Sequence, residues 1–135
     1  VLEQPKAAEK IVLQQGALRD VASRLEAQAR EVTRHVNQLH NVLARVFPEF
    51  DTIVLDLGAP SALELLRKYP TPAHLARARL TSVEAIPRLR AKTARRLHEA
   101  AKTSIGSLTG PVAETIVRTV VNQVRSAQKL VRVRF

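Results

Sequence analysis

The sequence has no cysteine, methionine or tryptophan among its 135 residues. Without cysteine there is no disulfide framework, thiolate metal site or thiol nucleophile. One tyrosine and three phenylalanines are too few rings for a platform on which unpaired bases stack. No apolar run approaches the roughly 20 residues needed to span a bilayer. The opening VLEQPKAAEK lacks the apolar segment of a signal peptide. These absences, with the missing thiols, fit a cytoplasmic protein. The missing initiator Met and abrupt C-terminus create the expectation of a piece of a longer protein. Acidic residues are also scarce: 12 Asp and Glu stand against 22 Lys and Arg, a formal charge of +10. What is present is an apolar share of 45%, that of a folded chain, in a length suited to one domain.

The positive charge is uneven. Residues 1–46 are close to balanced, 47–66 hold four acids and no base, and 67–102 carry +8. Mixed charge such as that of 1–46 is the ordinary dress of a solvated helix. Clustered Lys and Arg are the footprint left by a phosphate-bearing partner. Packing is therefore expected of the first segment and anion contact of the middle one.

A stride of seven from Ile11 meets Leu18, Leu25, Val32, Leu39 and Val46, all apolar. That regularity predicts a helix from about Ala7 to Val46 whose stripe faces one neighbour in a supercoil. Its companion positions are mixed: Val36 and Leu43 are apolar, while Gln14, Gln28 and His35 are polar. Phe47-Pro48 ends it, because the residue before proline avoids helical geometry. Residues 49–57 read as an ordered loop, since the lone apolar run Ile53-Val54-Leu55 has no second strand to pair with. Ser61 to Glu64 and Thr81 to Glu84 have the spacing of capping boxes, and Thr71-Pro72 that of a capped helix start. A basic amphipathic helix is predicted over 91–104, closed by Gly106 in the position that left-handed helix ends favour. After Gly110-Pro111 a valine-rich helix is predicted over 112–131, and Val131 to Phe135 alternates like a strand. The expected fold is all-α: a long antiparallel helical hairpin (coiled coil) with a small cluster of short helices between the two long ones. Its parts are the heptad helix 1–46, a small helical subdomain 47–110 with a basic hairpin-like turn, and a return helix 111–135.

No catalytic set is legible. His35 and His40 are five apart and point to different faces; His74 and His98 stand alone. A zinc site needs three or four converging ligands. Asp51 and Asp56 flank an apolar stretch, where turn formation is the commoner role. The serines read as caps or helix-surface residues. No cofactor and no metal are expected.

The segment Glu84-Ala-Ile-Pro-Arg-Leu-Arg-Ala-Lys-Thr-Ala-Arg-Arg-Leu97 has the layout of a helix-hairpin-helix unit, which grips phosphate at a helix N-terminus. Arg88 and Arg90 stand where that unit has two glycines, so phosphate contact would pass to the guanidinium groups. A plain helical turn with a basic rim is the other reading.

Three stretches together resemble a known family: Leu43-Ala-Arg-Val-Phe-Pro-Glu-Phe-Asp51, Ser61-Ala-Leu-Glu-Leu-Leu-Arg-Lys-Tyr-Pro-Thr-Pro-Ala-His-Leu-Ala-Arg-Ala78 and Lys92-Thr-Ala-Arg-Arg-Leu-His-Glu-Ala-Ala-Lys-Thr-Ser-Ile-Gly106. They are similar to the middle region of bacterial insertion-sequence transposases, which join a RuvC-like carboxylate (DEDD-type) nuclease domain to a C-terminal serine domain and include RNA-guided recombinases. The resemblance implies a coiled-coil linker lying between the two catalytic domains, in a bacterial cytoplasm. It implies assembly into a homo-oligomer and contact with duplex DNA and a guide RNA, with no membrane. It carries over no catalytic residue: the parent would be the enzyme and this fragment by itself would not.

The residues expected to neutralise phosphate are Arg88, Arg90, Lys92, Arg95, Arg96 and Lys102. Those expected to carry helix packing and assembly are Ile11, Leu18, Leu25, Val32, Leu39 and Val46. The alternative is a purely structural oligomerisation module whose basic face is solvation. A membrane-surface helix is a third reading, disfavoured by the lack of Trp.

Overall fold

The computed structural model describes the backbone of residues 3–133 and the side chains of 14–131, and among those residues it holds seven helices. They are α1 (Glu3–Val46), α2 (Phe50–Ile53), α3 (Pro60–Lys68), α4 (Pro72–Arg77), α5 (Leu80–Glu84), α6 (Ala91–Lys102) and α7 (Gly110–Val133). No strand occurs among the described residues, and none of these helices is long and apolar enough to cross a membrane.

α1 and α7 form the hairpin. The Leu108 amide donates to the Arg45 carbonyl at 3.0 Å, so α7 departs beside the C-terminal end of α1 and runs back along it. Leu39, Leu43 and Val46 of α1 meet Ala113, Val117, Val121 and Val124 of α7, all buried in one core. Spacings of three, four and seven put each set on one helical face. The wide valine face thus works as a helix, tertiary burial overriding the strand leaning of valine.

The short helices cap the connected end. Phe47 and Phe50, just past α1, stack edge-to-face with ring centres 5.7 Å apart. Leu63, Leu65 and Leu66 of α3, Leu75 of α4, Val83 of α5 and Leu97 of α6 complete the core.

Several local expectations are corrected. Residues 50–53 form a single helical turn, not loop, because burial of Phe50 folds the chain back onto Phe47. α3 starts at Pro60, one residue before Ser61, with Ala59 at its N-cap and no side-chain cap bond. Proline, lacking an N–H, is at ease at the first helical position. α5 likewise starts at Leu80 without a cap bond from Thr81. The Thr71 start holds: its hydroxyl accepts from the His74 amide. Gly106 is not left-handed. A Cβ there would sit 2.1 Å from the Val46 carbonyl oxygen, so the residue is required by close approach. The left-handed residues are Gly110 (φ +80°) and Arg88 (φ +65°). Ile11, and the strand-like alternation that ends in Arg134 and Phe135, fall partly or wholly outside the described residues.

Candidate nucleic-acid interface

The basic surface is built on the turn from α5 to α6. Ile86 is buried and Leu89 half-buried, so the turn is pinned from below while Pro87, Arg88 and Arg90 stay outside. Arg88 adopts the left-handed backbone that a glycine takes at no steric cost. Arg88 therefore carries backbone strain on an exposed residue. α6 then seats Ala94, Leu97 and Ala101 in the core. Its opposite face carries Lys92, Arg95 and Arg96, at the i, i+3, i+4 spacing that brings side chains together.

α4 lies against α6 through a hydrogen bond from the His98 Nε2–H to the Ala78 carbonyl, 2.9 Å. Arg77 and Arg79 flank Ala78, so both lie on the segment that packs against α6. Sequence reasoning missed these two. They were part of the +8 segment, but they lie outside the hairpin motif, and only α4–α6 packing unites them with it. Arg77, Arg79, Arg88, Arg90, Lys92, Arg95 and Arg96 are all exposed, and no carboxylate pairs with any of them among the described residues. Lys102 stands apart. Its ammonium rests on Glu99 at 3.2 Å, and it borders a separate groove with Thr71 and Gly106.

Of the acids near this face, Glu84 of α5 is exposed and pairs with none of these cations, and Glu99 of α6 takes Lys102; the others are engaged elsewhere. Glu64 of α3 accepts from Arg67 and from Arg125 of α7, and those hydrogen bonds hold its carboxyl down at about 2. Glu114 pairs with Arg118 and lies 3.6 Å from His74 Nε2. Asp51 holds His40 of α1 at 2.8 Å. Asp56 accepts from the Gly58 amide at 3.0 Å and so makes a turn. Burial pushes the Glu49 carboxyl up, but the Ile105 amide and Ser104 hydroxyl that donate to it outweigh burial and keep it below its ordinary value. Each of these pairs ties one element to another or stiffens a turn. Among the described residues no three His, Asp or Glu side chains converge as metal ligands would.

The assembly stripe is placed unevenly. Leu39 and Val46 are fully buried against α7 and the cap. Leu25 and Val32 are half-buried. Leu18 is 69% exposed. An open groove of about 510 Å³ runs between α1 and α7, lined by Gln28, Glu31 and His35 on one side and Asn122, Gln123 and Ser126 on the other. No family model, curated protein or solved structure matches the chain.

Proposed function

We propose that this chain is a non-catalytic nucleic-acid-contacting and assembly module, the role that the middle region of an insertion-sequence transposase would fill. The observation that carries the reading is the cluster of seven exposed cations without carboxylate partners on α4–α6. Such a surface suits phosphate oxygens, which Arg grips in bidentate fashion. It is set on short helices locked into a core, so the charges are held in a fixed arrangement. The transposase part rests on the resemblance alone.

The test is retention of duplex DNA and of structured RNA by the full chain as salt rises. Each phosphate neutralised adds about −0.9 to the slope of log K against log salt, so six contacts give about −5. Sequence preference is expected to be slight, because phosphate contacts position without specifying. Arg95→Glu with Arg96→Glu is expected to abolish retention while leaving the helical signal intact. An affinity that ignores salt, or a double variant that binds as wild type, would leave only the structural module.

A further inference from the structure

A second groove, of about 460 Å³, lies on the cap, between the segment from α2 to α3 and the turn that leads into α6. All its walls come from residues 50–97. Phe50, Ala62, Leu65 and Leu97 form a buried floor. Ile53, Val54, Ala59 and Leu89 line it half-buried. Leu55 on its edge is 89% exposed, more than any other large apolar side chain among the described residues. The segment bearing that leucine is held at both sides. The Val54 amide donates to the Phe50 carbonyl at 2.8 Å, Asp56 accepts from the Gly58 amide, and Leu57 is buried. A lone exposed leucine is ordinary on a protein surface. One fixed beside an open apolar groove extends it into a contiguous patch, the mark of an interaction site.

Charge selects the occupant. Residues 47–66 hold four acids and no base, while 67–102 carry +8. The groove lies where these two segments meet, with Asp56 on one wall and Arg88 and Arg90 on the other. All three are exposed, and none is in an ion pair among the described residues. A nucleic acid fits this groove poorly. Its one ring, Phe50, has no exposed face on which a base could stack, and Asp56 repels phosphate. A second copy fits, because the patch carries both halves of a contact. One half is a leucine followed by an acid; the other is an apolar groove edged by two unpaired arginines. A two-fold interface needs one surface that complements itself. Between chains of +10, setting 47–66 of one copy against 67–102 of the other turns repulsion into local attraction.

We propose that this groove is the docking surface for a second copy of this chain, each copy's Leu55 entering the other's groove and each Asp56 meeting the other's Arg88 and Arg90. This deepens the assembly half of the proposed function and rests on it. The apolar centre excludes water, so the charge-assisted hydrogen bonds at its edge are stronger than on an open surface. Arg77, Arg79, Lys92, Arg95 and Arg96 lie outside the groove, so docking leaves them to phosphate.

Light scattering on the full chain, free of nucleic acid and in about 0.15 M salt, tests this. The expected mass is twice the 15.0 kDa of one chain. Leu55→Lys is expected to halve it and leave the circular dichroism unchanged, because that side chain is exposed in the single copy. Asp56→Arg is expected to run as a single chain, and so is Arg88→Asp with Arg90→Asp. Mixed in equal amounts, these two variants are expected to recover the double mass, since each changed charge then faces its opposite. A wild-type chain that keeps the single mass at its highest soluble concentration overturns this surface and the assembly reading together. A dimer indifferent to Leu55→Lys, charge variants that dimerise unmixed, or a mixture that stays single would each overturn this surface alone. Retention of duplex DNA is measured on the same samples at low salt. Its absence in a wild-type chain that dimerises overturns the nucleic-acid reading alone.

Discussion

Gly106 shows how one residue can join two parts of the molecule. The segment after α6 passes so close to the end of α1 that a methyl group at 106 would meet the Val46 carbonyl at 2.1 Å. Gly106→Ala must therefore push the segment off α1, and the loss should be about 1–3 kcal/mol, the usual size of an overpacking strain. Thermal unfolding checks this. Arg88 is the converse case. Its left-handed backbone costs an arginine about 1 kcal/mol that glycine escapes. Arg88→Gly should raise the unfolding midpoint while weakening DNA retention, so stability and binding move in opposite directions. Glu64 links α3 to α7 through Arg125. Its folded-state value of about 2 lies below the ordinary 4.5. The stability it contributes is therefore complete above the ordinary value and lost as pH falls through 2. Glu64→Gln should cost about 1–2 kcal/mol near neutral pH, the worth of hydrogen bonds to a charged group discounted for the exposure of the arginines, and only a small part of that at pH 2, where half of the folded carboxyls are still ionised. Denaturant unfolding at the two pH values measures the difference.

At the scale of the element, α1 is one helix with two environments. Over its last two turns the stripe is sealed: Leu39, Leu43 and Val46 have no exposed surface. Leu43→Ala should cost about 2–5 kcal/mol, the range for a truncated core leucine. Leu18→Ala, at 69% exposure, should change the stability of the single copy by less than about 0.5 kcal/mol. Denaturant unfolding of the two variants reads this gradient along a stripe that is uniform in sequence. α6 is ordered by a different logic. Its small buried residues, Ala94 and Ala101, let it lie close to the core and carry its charges outward on the other face.

At the scale of the whole molecule, several acids tie elements together while a group of cations stays unpaired. Glu64 pairs with Arg125 of α7, Asp51 with His40 of α1, and Glu114 approaches His74 of α4, contacts that stiffen the junction of hairpin and cap. The cations of α4–α6 are left for solvent or a partner. Added salt should consequently weaken nucleic-acid retention far more than it lowers the unfolding midpoint, because the fold rests on apolar burial and the proposed interface on charge. A salt titration followed by both circular dichroism and DNA retention separates the two.

The all-α hairpin was legible because heptad spacing in α1 and the valine face of α7 are local patterns, written in side-chain period. The Thr71 start was legible for the same reason: a cap involves residues three apart. The starts at Pro60 and Leu80, the turn at Phe50 and the role of Gly106 were not, since each is decided by what lies across the core from it. The same holds for the basic surface. Its α6 half follows from i, i+3, i+4 spacing, but that the segment bearing Arg77 and Arg79 packs on α6, with His98 at the Ala78 carbonyl, is decided by tertiary structure. Period along the chain fixes which face of a helix is apolar; only packing between helices decides which stretch of that face is sealed, and here it is Leu39 to Val46.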